Sequence, residues 1–477
     1  MLSAVATQTE TENKKEYVPS LKEREFLAKV QNGKYDRQII AGLKKFVEGT
    51  VPEDMRGFYS QEELRALSRL HGTSDDVEAR MPVKITRHYF DLAKTSPALQ
   101  RLVKASPRET ENLEGSPDPG NQMCYSPVEG LIHKYELGLI YVVSTCSAHC
   151  RFCYREELIA RKEIEREDGS WRPKELAQIA QIADYVQEHN RIVAEHGGKH
   201  PDTGREKLRE ILMSGGDPMV LGNRNLAQWL AALATAGIET IRIGTKELSF
   251  HPERFDDRFF AMLDAFHEAY PGTKLRFMIH FTHPDEFLKK DVDGNYIQLP
   301  EGGLEWVDVT KGAISELGKR NWLTIDNQAP IIRGINDDPD PLRILQRELR
   351  RNRVENHYFF CGRDIVGYRA FNVPIEEAWH ILNESQRGLS GVEAHARLSI
   401  AHYYGKAEIV AVTDGPTANI PGGEQGLVIM KLLRSPEGAH KRGKIAILGR
   451  NPDAIWFDGY KDRVIYDEAG LFVANHN

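Results

Sequence analysis

The stretch LIYVVSTCSAHCRFCYRE, residues 139–156, sets a β-branched apolar run directly against three cysteines, Cys146, Cys150 and Cys153. Leu139 to Ser144 has the make-up of a buried strand. The sulfurs, spaced four and then three residues apart, turn toward one centre only if the backbone coils into a tight loop. Similar short runs recur at Glu210 to Met213, Thr240 to Gly244, Lys274 to Phe281, Trp322 to Ile325 and His357 to Phe360. Amphipathic segments lie between them: Pro173 to Gln187, Leu226 to Ala236, Arg258 to His267, Val309 to Lys319 and Pro341 to Asn352. Strand alternating with helix implies parallel strands and right-handed crossovers. The fold class is therefore α/β, a partial (β/α)6 TIM-like barrel with its chemistry at the C-terminal ends of the strands.

Outward from this centre, residues 1–20 are polar and read as a flexible leader. Helical spacing (Leu64, Leu67, Leu70; Val83 to Leu92) marks a helical N-terminal domain over 21–130, closed by the Pro/Gly-rich stretch Glu114 to Pro127. The barrel takes 131–374. A mixed C-terminal region takes 375–477, opening with a helix from Pro374 to about Arg387. Glu188 to Lys207 and Lys289 to Trp306 read as polar surface insertions.

The 477 residues carry 63 basic and 70 acidic side chains, a net charge of −7, which gives no footprint for nucleic acid or anionic membrane. No apolar run reaches a membrane span, and the polar start does not read as a secretory signal, so the expected location is cytoplasmic. Five cysteines make no disulfide framework. Three thiols do not close a tetrahedral zinc site unless a fourth ligand joins, and His149 is placed to be one. The competing reading is a four-iron cluster on three thiolates with one iron left open. Cys124 and Cys361 read as buried, inert thiols.

CxxxCxxC after the first strand, with Phe152 before the last cysteine, resembles the radical S-adenosylmethionine (SAM) superfamily. SPVEGLIHKY (126–135), SGGDP (214–218), RIGTK (242–246), HFTHPDE (280–286) and NQAPIIRGIND (327–337) occur in the order of its lysine 2,3-aminomutase family, over roughly Ser126 to Lys406. The resemblance implies a 4Fe-4S cluster on Cys146, Cys150 and Cys153, SAM beside Gly215 and Gly216 with Asp217 in reach of a bound group, and pyridoxal 5'-phosphate (PLP) attached to Lys406. It places Arg155 on the substrate carboxylate and Lys134 at one of two phosphate-holding positions; the other is lost at Leu137 or Gly138. The two positions that hold a lysine side chain in the family fall on Arg363, or its neighbour Asp364, and on Ile400. The implied enzyme is a radical SAM isomerase, an amino acid 2,3-aminomutase whose substrate is not lysine. It is expected to form a homo-oligomer and to take electrons from a flavodoxin or ferredoxin. A PLP-independent dehydrogenase, epimerase or lyase on the same scaffold is the alternative, ahead of a cluster-bearing scaffold without turnover.

Overall fold

The computed structural model describes residues 81, 83–160, 176–415 and 420–472. The leader and most of the region 21–130 lie outside the described residues; helices Arg87–Ala93, Pro97–Val103 and Arg108–Glu111 lie within them. Among the described residues, twelve strands form one open sheet in chain order. They are β1 (Leu131–Ile132), β2 (Leu137–Val143), β3 (Glu210–Gly215), β4 (Thr240–Thr245), β5 (Lys274–Ile279), β6 (Leu323–Pro330), β7 (Glu355–Phe360), β8 (Arg397–His402), β9 (Gly405–Val412), β10 (Leu427–Arg434), β11 (Ile445–Gly449) and β12 (Val464–Asp467).

β2 to β7 are the six expected strands, paired in parallel. β8 joins them as a seventh, also parallel, so the C-terminal region continues the sheet instead of standing apart from it. β9 to β12 extend it with antiparallel pairs.

Alternation along the strands gives the sheet two unlike faces. Ile211, Met213, Ile241, Ile243, Leu275, Phe277 and Ile325 point to one side, where they pack with the apolar faces of helices 179–195, 223–235, 257–269, 308–318 and 339–351. Each fully buried side chain of this kind contributes about 1.5–3 kcal/mol. Asp256 and Asp338 cap two of these helices, accepting from Phe259 N at 2.8 Å and Asp340 N at 2.9 Å. The opposite face carries Glu210, Arg242, Arg276 and Asp326, joined by the pairs Arg242–Glu210 and Arg276–Asp326, the latter bidentate at 2.7 Å.

The helix 179–195 runs past the expected boundary at Gln187, because Ile182, Val186, His189 and Val193 keep burying one stripe. The 289–306 insertion is present but not loose. Leu288, Leu304 and Trp306 are buried, and bridges tie Leu288 to Trp306 and Lys290 to Tyr296. Cys361 is buried as expected, whereas Cys124 is exposed. Among the described residues, no helix is long and apolar enough to cross a membrane.

Candidate active site

Beyond β2 the chain leaves the sheet, and its backbone groups need other partners. Lys84 Nζ donates to the Cys146 carbonyl at 2.6 Å and to Thr145 Oγ1 at 3.2 Å, and the Lys84 carbonyl accepts from His149 N at 2.9 Å. Glu247 Oε1 accepts from Ser147 N at 3.1 Å. Arg151, wholly buried, donates from Nη2 to Glu109 at 2.6 Å and also reaches the Met81 carbonyl, while its amide donates to Leu102 O at 2.8 Å. The Tyr368 hydroxyl bridges the Cys153 carbonyl and, at 2.7 Å, the Glu156 carboxylate. The cysteine loop is thus held in place by segments far away in sequence.

The three thiols are part-exposed. Burial pushes each above the ordinary cysteine range, Cys153 to about 11, and for Cys146 and Cys150 the neighbouring sulfurs add to the shift. Thiols in that state stay protonated until a cationic centre displaces the proton. Among the described residues no three His, Cys, Asp or Glu side chains, the three cysteines included, converge on one metal-ion position.

Gly215 and Gly216 let β3 close against the start of this loop. A Cβ on Gly215 (φ +121°) would stand 2.1 Å from the Val143 carbonyl oxygen, and one on Gly216 would stand 2.0 Å from that of Thr145. Gly216 N donates to Val143 O at 2.6 Å and Asp217 N to Thr145 O at 2.9 Å. That approach alone explains both glycines. The buried Asp217 carboxylate is engaged by protein donors. It accepts from Met219 N at 3.0 Å, Thr245 Oγ1 at 3.0 Å and Lys246 N at 2.6 Å. The other motif residues make a similar lock: Lys246 Nζ donates to Glu286 at 2.6 Å and to His280 O at 2.7 Å, and Glu286 accepts from Tyr89 at 2.8 Å. Neither Glu247 nor Glu109 stood out in the sequence, because each acts only through a partner remote along the chain.

The polar face beside the loop is rich in cations. Arg155 donates to Ser214 Oγ and, at 3.1 Å, to Gly215 O; its buried Nε has no partner. Its guanidinium carbon lies 4.5 Å from the centroid of Tyr154, and that of Arg363 lies 4.4 Å from the same ring. Among the described residues no carboxylate pairs with Arg155 or Arg363. Asp364 does not restore an acid beside Arg363: it is closed by Arg369 at 2.9 and 3.1 Å. Ile400 is buried among core side chains.

Lys406, at the start of β9, lays its Nζ 3.6 Å from the Tyr358 ring centroid and 4.9 Å from that of Phe360. Burial, reinforced by the guanidiniums of Arg434, Arg242 and Arg363, holds this amine well below the ordinary lysine range. An amine of lowered basicity among cations suits attachment of an anionic aldehyde, and the residues present therefore fit PLP. Lys134 is engaged with two backbone carbonyls. Its ammonium donates to Gly120 O at 2.6 Å and His402 O at 2.9 Å, and burial together with Arg363 lowers it to about 7.

No family model matches the chain. It is 31% identical over 369 residues to a protein of Aquifex aeolicus (strain VF5) named putative L-lysine 2,3-aminomutase, across 76% of this chain and 83% of that protein. It is 27% identical over 286 residues to the glutamate 2,3-aminomutase of Clostridioides difficile (strain 630), across 60% of this chain and 56% of that one. Among solved structures, a radical SAM methyltransferase from Sphaerobacter thermophilus is 15% identical with a TM-score of 0.32, over 57% of this chain and 68% of that one.

Proposed function

We propose, from the premise that the chain belongs to the radical SAM lysine 2,3-aminomutase-like family and is an isomerase, that it moves the α-amino group of an amino acid with an acidic side chain to the β-carbon. The observation that carries this reading is the pair of guanidiniums, Arg155 and Arg363, set on one tyrosine ring with no carboxylate on either among the described residues. Two unpaired, part-buried cations ask for two anions, and a substrate ammonium beside Arg363 would be repelled in a medium of reduced dielectric. A relative named for glutamate agrees with that sign.

When bound, the cluster with SAM supplies a carbon-centred radical, and PLP supplies a reversible anchor for the migrating nitrogen. The chain's own residues do the rest. Cys146, Cys150 and Cys153 carry the cluster. Lys406 offers the amine of lowered basicity that would hold the cofactor and be exchanged for substrate. Arg155 forks onto the α-carboxylate, Arg363 onto the distal one, and Tyr154 keeps the two guanidiniums at a set spacing. The curled, open sheet supports the partial-barrel reading, in which this polar face is the cavity. Transfer of a hydrogen between carbons needs them within about 3–3.5 Å, so a pre-formed site matters more than acid–base tuning.

The loss of Lys134 to two carbonyls favours one competing reading, a PLP-independent radical SAM enzyme on the same scaffold. Deuterium transfer from labelled amino acids into 5'-deoxyadenosine tests the proposal. Glutamate or aspartate should donate label, and the product should be the β-amino acid. Labelling by lysine alone would overturn the acidic substrate, and label transfer without amino migration would favour the competing reading.

A further inference from the structure

An anionic group beside Lys406 has to be held by cations other than those the resemblance implies. Lys134 is committed to the Gly120 and His402 carbonyls, while Leu137 and Gly138 lie within β2 and carry no charge. Three guanidiniums, those of Arg434, Arg242 and Arg363, act on the position, and Arg276 lies on the same polar face of the sheet. Arg276 is closed by Asp326 through two bonds of 2.7 Å, and Arg242 is closed by Glu210. Arg363 is stacked on Tyr154 and is assigned above to the substrate.

Arg434 is different. It pairs in register with Lys406 across β9 and β10, so the two side chains start from neighbouring points on one face. Its only carboxylate contact among the described residues is Glu136 Oε2 at 3.7 Å, too long for a hydrogen bond. Its guanidinium is part-buried and keeps its donors for something else. A fork of this kind matches a phosphate, to which it can donate two parallel bonds.

We propose that Arg434 holds the phosphate of PLP, taking over the role of the arginines this chain lacks, while Lys406 holds the aldehyde carbon. The inference rests on the PLP reading above. The chain has moved the phosphate contact from the strand edge near β1 to the C-terminal strands, next to the lysine itself.

The test compares PLP with pyridoxal, which lacks the phosphate, by visible absorbance titration of the full chain. Wild type should bind PLP at least about tenfold more tightly than pyridoxal, the usual worth of a charge-assisted pair. Arg434→Gln should bring that ratio close to one; because Arg434 also helps lower the Lys406 amine, both affinities shift together and the ratio is the readout. Arg434→Met, which keeps the apolar stem, is the second variant should the first not fold by near-UV circular dichroism. Arg434→Lys should recover part of the ratio, having charge without the fork. A wild-type ratio in both the Gln and Met variants would overturn the assignment of Arg434 while PLP binding itself stood. Absence of a visible band with either compound in wild type would overturn both the assignment and the PLP reading.

Discussion

At the scale of single residues, the decisive pair is Arg363 and Asp364. They are adjacent in sequence and opposite in charge, and they would lead to opposite substrates. The structure separates them by their partners: Asp364 is tied to Arg369, and Arg363 stacks on Tyr154 without a carboxylate among the described residues. Arg363→Gln should therefore lower kcat/KM for an acidic substrate by about 10- to 100-fold, the loss of one hydrogen-bonded charge. Steady-state kinetics would check it, and an unchanged kcat/KM would remove Arg363 from substrate recognition. Lys406→Ala should abolish the visible PLP band while anaerobically reconstituted protein keeps its full iron content, because the lysine sits on β9 and the thiols on the loop after β2. Iron analysis and absorbance on one sample separate the two roles.

At the scale of elements, the cysteine loop depends on helices and strand ends that share no local sequence with it. Arg151 and Glu109 form an ion pair in which both side chains are almost wholly buried. Removing one partner of such a pair leaves a charge without compensation, at a cost of about 3–5 kcal/mol. Glu109→Gln should lower the melting temperature and reduce iron incorporation, although Glu109 touches no cysteine in any hydrogen bond described above. Full iron loading in a folded Glu109→Gln protein would show that the loop holds itself. Gly216→Ala is a harsher change, since the added Cβ meets the Thr145 backbone from 2.0 Å. It should cost about 4 kcal/mol or more, seen as loss of soluble, cooperatively melting protein.

At the scale of the whole molecule, the sheet curls far enough for its β1–β2 edge to approach β8 and β10. Lys134, next to β1, donates to His402 at the end of β8, and Arg434 of β10 approaches Glu136 beside β2. Lys134 therefore acts as a staple across the opening, and its pKa of about 7 makes the staple pH-sensitive. An unfolded lysine titrates near 10.4, so between about pH 7 and 10 the unfolded chain binds more protons than the folded one. Stability should rise with pH through that window, and below about 7, where both states are protonated, this contribution should be flat. The melting temperature of wild type minus that of Lys134→Met should increase from pH 7 to 10. A constant difference would sink the assignment of a neutral Lys134.

What the sequence determined by itself was the order of elements and the identity of the chemistry-bearing loop. Short β-branched runs and helical spacing are local signals, and β2 to β7 follow from them within a few residues. Three cysteines in eight positions need no fold to be noticed. The reach of the helix 179–195 was also written in its apolar stripe, at Val186 and Val193, beyond the polar residues that disguised it. Tertiary structure decided the rest, because each of those roles depends on a partner brought from elsewhere in the chain. Asp217, Lys246 and Glu286 lock remote segments together, Lys134 ties β1 to β8, and β8 to β12 extend the sheet. A charge takes its role from its neighbours, and for Arg434 one of them is Lys406, 28 positions away in sequence and adjacent only across two paired strands.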